Sequence, residues 1–360
     1  MRDALCPGLR VDCSGPTDGG AMGVRIFVPQ PIPQAAVRRL GELGDLTMYE
    51  HLDRVIPRDE VLAAVRDQHV LYALGGIGYD AEILDSATEL RLVAAMHVNP
   101  TFVDVAAATR RGIPVTGIPN TGLARTTAEF TFALLLATAW RLPEADRFLR
   151  DGRWQQNQSE AFVGTRLYGK TVGIVGLGAI GTEVATKARG CAMDVVYTKR
   201  TPLSPAEEAA LGVEYRSLED LFRESDFVVL TPPLTRETEG LVGADLLALM
   251  KPSAILVNTS RGPVLDEAAL EEALVEGRIR GAGLDVYLHE GTDPGPREGL
   301  TRLPNVVLTP HIGSAARETR EEMALRTVAN IERFLAGRRP MDVLNPEVYG
   351  EAPRRTERIG

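Results

Sequence analysis

Three glycines, Gly176, Gly178 and Gly181, break an apolar run, TVGIVGLGAIG, from Thr171 to Gly181. The pattern predicts a strand, a tight turn and the start of a helix that continues through EVATKARG. In that arrangement Gly176 makes the turn, Gly178 lets the backbone approach a ligand, and Gly181 lets helix and strand pack closely. Amides at the helix start, around Ala179 and Ile180, present free N–H groups and the positive end of the helix dipole, which suits a pyrophosphate. Dinucleotide binding is the reading adopted; a purely structural glycine turn is the competing one.

The next strand, MDVVYT, ends in Thr198, Lys199, Arg200 and Thr201. Nicotinamide-binding folds distinguish their two cofactors just past this strand, about 20 residues beyond the glycines. No Asp or Glu stands there to accept from a ribose 2′-hydroxyl. Two cations and two hydroxyls suit a 2′-phosphate instead, so NADP(H) is expected in preference to NAD(H). The alternative is a solvated basic turn.

The elements that must position these residues fit a chain of 360 residues, long enough for two domains, with an ordinary apolar fraction of 44%. A net charge of −9 and the lack of a sustained basic run argue against nucleic-acid or membrane surfaces. Small-molecule chemistry is expected. Cys6, Cys13 and Cys191 form neither a paired framework nor a metal-type spacing, which points to a reducing, cytoplasmic setting and no metal site. No run is long and apolar enough for a membrane span, and no secretory pattern precedes the first strand. Residues 1–22 read as a disordered extension or as the product of an upstream start codon, with folding from near Met22, and 346–360 as a tail.

From Val24 short strands (VRIFVP, DLTMYE, VLYALG, LRLVAAM, PVTGIP) alternate with helices, which implies a parallel sheet with crossovers. A long helix follows, AEFTFALLLATAWRLPEADRFLRDG, with Thr126 or Thr127 as its cap and a kink at Pro143. A second α/β unit runs from Lys170 to about Gly313. The amphipathic helix after it is long enough to return to the first unit.

With the glycine turn, the segments NTSRG (Asn258 to Gly262), GAGLDVYLHE (Gly281 to Glu290) and TPHIGSA (Thr309 to Ala315) make the chain resemble the D-isomer-specific 2-hydroxyacid dehydrogenase family from Val24 to Pro340. The resemblance implies two doubly wound α/β domains, a Rossmann cofactor domain (121–313) inserted into a flavodoxin-like substrate domain (23–120 and 314–345), with the active site between them. It implies Arg261, Glu290 and His311 as the catalytic set. It also implies cofactor contacts from Asp285, Thr259, Pro232 in the 232–235 loop, Thr127 and Gly313. Members usually dimerise through the cofactor domain, and Glu129 to Arg150 looks like their dimer element.

These residue types suit reduction of a 2-oxo acid to the D-2-hydroxy acid. A histidine titrates near neutrality and can supply the proton, while a carboxylate beside it holds the ring and favours its charged form. An arginine presents a planar fork to carboxylate and carbonyl oxygen together, and it stays protonated, so it cannot be the acid.

The substrate loop departs from the family, whose members carry a Val-Gly-Tyr-Asp-like run where this chain has His97-Val98-Asn99-Pro100-Thr101. Asn99 can stand in for Gly at positive φ, but a residue before proline is pushed toward extended backbone. Asn99 adds an amide and His97 a potential cation, so His97, Val98 and Asn99 are candidate substrate contacts. An atypical, doubly anionic substrate such as phosphonopyruvate is one reading; neutral packing variation is the other. A glyoxylate or hydroxypyruvate reductase is a further alternative, though Asn157 replaces a Trp that some hydroxypyruvate reductases carry. Val98 argues against phosphite oxidation, and Glu290 against formate dehydrogenases. Gly291 replaces the usual Pro after Glu290. A non-catalytic NAD(P)-sensing protein of the co-repressor type is the rival from another class.

Overall fold

The computed structural model describes residues 9–11, 23–120, 122–157, 160–290 and 295–350. They form two α/β units. One holds the residues before Thr121 together with those from Ala316 onward, and the other holds Gly122–Ala315.

In the first unit β1 (Leu9–Val11), β2 (Arg25–Val28), β3 (Asp45–Tyr49), β4 (Val70–Ala73), β5 (Leu92–Ala95) and β6 (Val115–Thr116) stand in the order β1-β3-β2-β4-β5-β6. All neighbours pair parallel except β1, which runs antiparallel to β3. The central strands β4 and β5 are buried along their length, as strands covered on both faces must be. Helix Arg317–Leu335 packs on helix Gln34–Leu43, where Arg39 forks onto Glu332 at 3.0 and 2.6 Å. The segment after it closes the β6 edge: Asn345 Oδ1 accepts from Val115 N at 2.7 Å, and Leu344 N donates to Val115 O at 2.8 Å. Covering an edge in this way leaves no open ladder on that side.

The second unit contains β7 (Thr171–Val175), β8 (Asp194–Thr198), β9 (Glu214–Tyr215), β10 (Phe227–Leu230), β11 (Ile255–Asn258), β12 (Gly281–Leu284) and β13 (Val306–Leu308). The sheet is wholly parallel, in the order β13-β12-β11-β10-β7-β8-β9. Strand order reverses between β7 and β10, and in such sheets ligands sit beyond the carboxyl ends of the strands at the reversal. Separate apolar clusters, around Leu256 and Leu270 and around Ile174 and Val229, fill its two faces.

Three local expectations are corrected. Helix Leu123–Ala139 starts after Gly122 at φ 78°, so Thr126 and Thr127 lie inside it rather than capping it. Pro143 does not kink a continuous helix: Arg141 turns left-handed at φ 54°, and a second helix, Leu142–Arg150, begins with Pro143 in its first turn, where a missing N–H costs nothing. Leu9–Val11 form a strand where an extension without structure was expected, and Pro346–Tyr349 of the expected tail form a 3₁₀ turn. The rest of 1–22, and 351–360, lie outside the described residues. Among the described residues no helix is long and apolar enough to cross a membrane, and no His, Cys, Asp or Glu cluster could hold a metal.

Candidate functional site

The glycine turn is built as a cradle. Gly176 sits at φ 95°, and a Cβ there would lie 2.8 Å from the Pro232 backbone; at Gly181 it would lie 2.4 Å from Gly176 O. Loop, helix and the Pro232 segment therefore meet at distances only glycine allows. Gly178 opens helix Ala179–Gly190, whose first turn has no side-chain cap, so the amides around Ala179 and Ile180 remain available to an anion. These features fit a dinucleotide pyrophosphate.

At the end of β8, Lys199 is half-buried and Arg200 and Thr201 are exposed. Among the described residues neither cation has a hydrogen-bond or ion-pair partner; Glu207, whose carboxyl feels the Lys199 charge, is held by Ser204 in a capping box. The turn that carries them is pinned by Tyr197, which the sequence reading passed over. Its fully buried phenol accepts from Leu203 N and donates to Glu208 Oε1, both at 2.8 Å.

Arg261, Glu290 and His311 come from three strand-following loops of this unit. His311 Nδ1 lies 2.6 Å from Glu290 Oε2, and Glu290 Oε1 accepts from Tyr287 N at 2.8 Å. Burial pushes the Glu290 carboxyl up, but the His311 hydrogen bond and charge, the Tyr287 N–H and Arg261 outweigh it, and its pKa falls below the ordinary value. Arg261 donates to Ser260 O at 2.6 Å; desolvation lowers its pKa and Glu290 pulls it back, which leaves it charged. The Arg261 loop reaches this position because Gly262 has no side chain. A Cβ there would lie 1.9 Å from the Tyr287 carbonyl group. Glu267 holds the same segment by accepting from Leu288 N at 2.7 Å. The roles of Gly262, Tyr287 and Glu267 were missed because they depend on segments about 20 residues apart.

Asp285, 1% exposed, organises the His311 loop. Its Oδ1 accepts from Thr309 Oγ1 and Ile312 N, and its Oδ2 from Gly313 N, all at 2.8 Å. Its carbonyl also accepts from His311 N at 2.9 Å. His311 is thereby held at φ 51°, a left-handed conformation that costs a non-glycine residue about 1–2 kcal/mol. Desolvation raises the Asp285 pKa despite those donors. A Cβ on Gly313 would meet Asp285 Oδ2 at 3.0 Å and Thr127 at 3.5 Å, and Thr259 Oγ1 lies 2.7 Å from Thr131 Oγ1. Thr127, Asp285 and Gly313 thus form one cluster, with Thr259 joined to the Thr127 helix through Thr131.

In the first unit, Ile118 N donates to His97 O at 3.0 Å, and Asn99 N donates to His97 Nδ1 at 3.1 Å. The Nδ1 atom of His97 thus faces the Asn99 amide within the loop. Asn99 is exposed and is not among the positive-φ residues, so it does not mimic a glycine; the following proline keeps it out. Val98 is half-buried and Pro100 buried.

A family model described as the D-isomer specific 2-hydroxyacid dehydrogenase NAD binding domain matches residues 132–313. The chain is 46% identical over 331 residues to a glyoxylate reductase of Thermococcus kodakarensis, covering 91% of this chain and 98% of that one. It is 44% identical to a glyoxylate reductase of Pyrococcus furiosus, covering 91% and 97%. A solved protein of Thermus thermophilus superposes with a TM-score of 0.81 at 41% identity, covering 89% and 100%. An NADPH-dependent glyoxylate/hydroxypyruvate reductase of Sinorhizobium meliloti, solved with NADP and malonate, superposes with a TM-score of 0.71 at 33% identity, covering 89% and 96%.

Proposed function

Because the chain belongs to the D-isomer-specific 2-hydroxyacid dehydrogenase family and is an NAD(P)-dependent 2-oxo acid reductase, we propose that it reduces glyoxylate or a close 2-oxo acid to the D-2-hydroxy acid, preferring NADPH. The observation that carries the reading is the 2.6 Å contact between His311 Nδ1 and Glu290 Oε2. It directs Nε2 to the proton transfer. Among the described residues Nε2 has no hydrogen-bond partner of its own. Glu290 holds the ring through Nδ1, and Nε2 gives a proton to the developing alkoxide. Arg261 engages the substrate carboxylate and carbonyl oxygen and stabilises the negative charge that builds there. In the oxidative direction the neutral ring takes the hydroxyl proton.

The glycine cradle and the first turn of helix Ala179–Gly190 would hold the pyrophosphate, Lys199 and Arg200 with Thr198 and Thr201 the 2′-phosphate, and Asp285, Thr259, Thr127 and Pro232 the remainder. The bound nicotinamide supplies the hydride. The relatives named glyoxylate reductases favour glyoxylate over a phosphonopyruvate-like acid; His97, Val98 and Asn99 are the substrate contacts proposed from the first unit. Initial rates with NADPH and NADH across glyoxylate, hydroxypyruvate and phosphonopyruvate test the reading. No turnover with any of them would defeat it.

A second copy is the proposed partner. Helix Leu142–Arg150 buries none of its residues, and Trp140, Leu142, Leu149 and Trp154 are all about half exposed. Four large apolar side chains exposed between residues 140 and 154 suit an interaction surface. Light scattering on wild type and Leu149→Asp tests it: a wild-type dimer that dissociates in the variant is expected.

A further inference from the structure

The first unit contains a cavity of about 400 Å³ lined by Pro33, Gln34, Ala35, Arg38, Arg317, Arg320 and Glu321. Three arginines face one glutamate there, in a chain whose net charge is −9. None of the three guanidinium groups makes a side-chain hydrogen bond or ion pair among the described residues. Their neighbour Arg39, by contrast, is satisfied by Glu332. Arg320 is half-buried, and desolvation lowers its pKa with no carboxylate to offset it. A partly desolvated guanidinium without a partner is costly to keep, and the usual resolution is an anion.

The backbone at the cavity is arranged in the same sense. Helix Gln34–Leu43 begins with Pro33, Gln34 and Ala35 on the wall, and helix Arg317–Leu335 begins with Arg317; neither has a side-chain N-cap. First-turn amides and dipole ends of both helices add to the positive field.

We propose that this cavity binds a small dianion of phosphate type, at a site distinct from Arg261 and from the Lys199–Arg200 turn. Arg317 and Arg320 grip its oxygens, Arg38 closes the exposed side, and Glu321 selects against larger polyanions. The dianion is free phosphate, and its binding does not rest on the proposed reaction.

Inorganic phosphate titrated into the full-length protein by isothermal calorimetry at low salt tests the site. We expect binding that weakens about tenfold or more in Arg317→Gln and in Arg320→Gln. It should persist in Arg261→Gln and in the Lys199→Gln/Arg200→Gln double variant. No binding by wild type, or wild-type affinity in both Arg317→Gln and Arg320→Gln, overturns the proposal. Should either variant fail to fold, Arg38→Gln, altered at an exposed position, gives the same reading through a loss of affinity.

Discussion

Glu290 and His311, 21 residues apart in the chain, meet through Oε2 and Nδ1 at 2.6 Å, and Glu290 keeps its second oxygen on Tyr287 N. The carboxylate is thus held from both sides, and it holds the imidazole in turn. His311→Ala removes the proposed proton donor and is expected to lower kcat about 10²–10⁴-fold. Unchanged binding of NADPH, followed by fluorescence, would separate this loss from misfolding; a kcat within threefold of wild type would sink the assignment.

The pH dependence of this contact has a definite sign. The Glu290 pKa is lower in the folded protein than in the unfolded chain, so its contribution to stability is complete above the unfolded value of about 4.3. It is lost as pH falls through the folded value. The difference in Tm between wild type and Glu290→Gln should be constant from neutrality down to about pH 4.5 and shrink below it. Asp285 has the opposite sign: its raised pKa makes the ionised form a burden that is relieved as pH falls. A difference that grows on acidification would contradict the Glu290 account.

Asp285→Asn tests the support of the His311 loop. Three donors now share two carboxylate oxygens, and an amide offers only one, so at least one buried donor loses its partner. Such a loss costs about 1–3 kcal/mol, a fall in Tm of roughly 2–10 °C for a unit of this size. Activity should fall with it, because the same loop holds His311 left-handed. Thermal unfolding and kcat measured together check this; a destabilised variant with full kcat would separate loop support from function.

Gly262→Ala would put a methyl group into the Tyr287 carbonyl, and backbone cannot yield as a side-chain end could. The Arg261 loop should move off the 287–290 segment. A displacement near 1 Å is enough to cost about 10²-fold in kcat/KM. The KM for the 2-oxo acid should rise. Steady-state kinetics decide, and wild-type kcat/KM would show that the loop accommodates the methyl.

The α/β class was legible because strand runs and helical runs alternate at crossover spacing, and the glycine turn was legible because its function is local. The break at Arg141 was not, since a proline inside a helical pattern reads equally as a kink or as the first turn of a new helix. Asn99 shows two local rules in conflict, asparagine's tolerance of positive φ and proline's restriction of its predecessor; the second prevailed. His97 became an acceptor through a hydrogen bond two residues away that composition does not announce. Arg261, Glu290 and His311 could be grouped only by resemblance, because Gly262, Tyr287 and Asp285 act on segments about 20 to 30 residues distant.

Tyr197 is where the fold bears on the proposed preference for NADPH. Its phenol links Leu203 N to Glu208, and the turn carrying Lys199 and Arg200 lies between Tyr197 and Leu203. Lys199→Ala/Arg200→Ala should lower kcat/KM for NADPH by about 10- to 100-fold, the worth of one or more charge-assisted hydrogen bonds, and leave NADH little changed. Tyr197→Phe keeps both cations and removes only the hydroxyl. If the turn must be held for the cations to meet a 2′-phosphate, this variant should raise the KM for NADPH several-fold, leave the KM for NADH unchanged, and reduce the salt dependence of NADPH binding. A purely structural hydroxyl would instead lower Tm and affect both cofactors alike, and that result would reject Tyr197 as a determinant of selectivity.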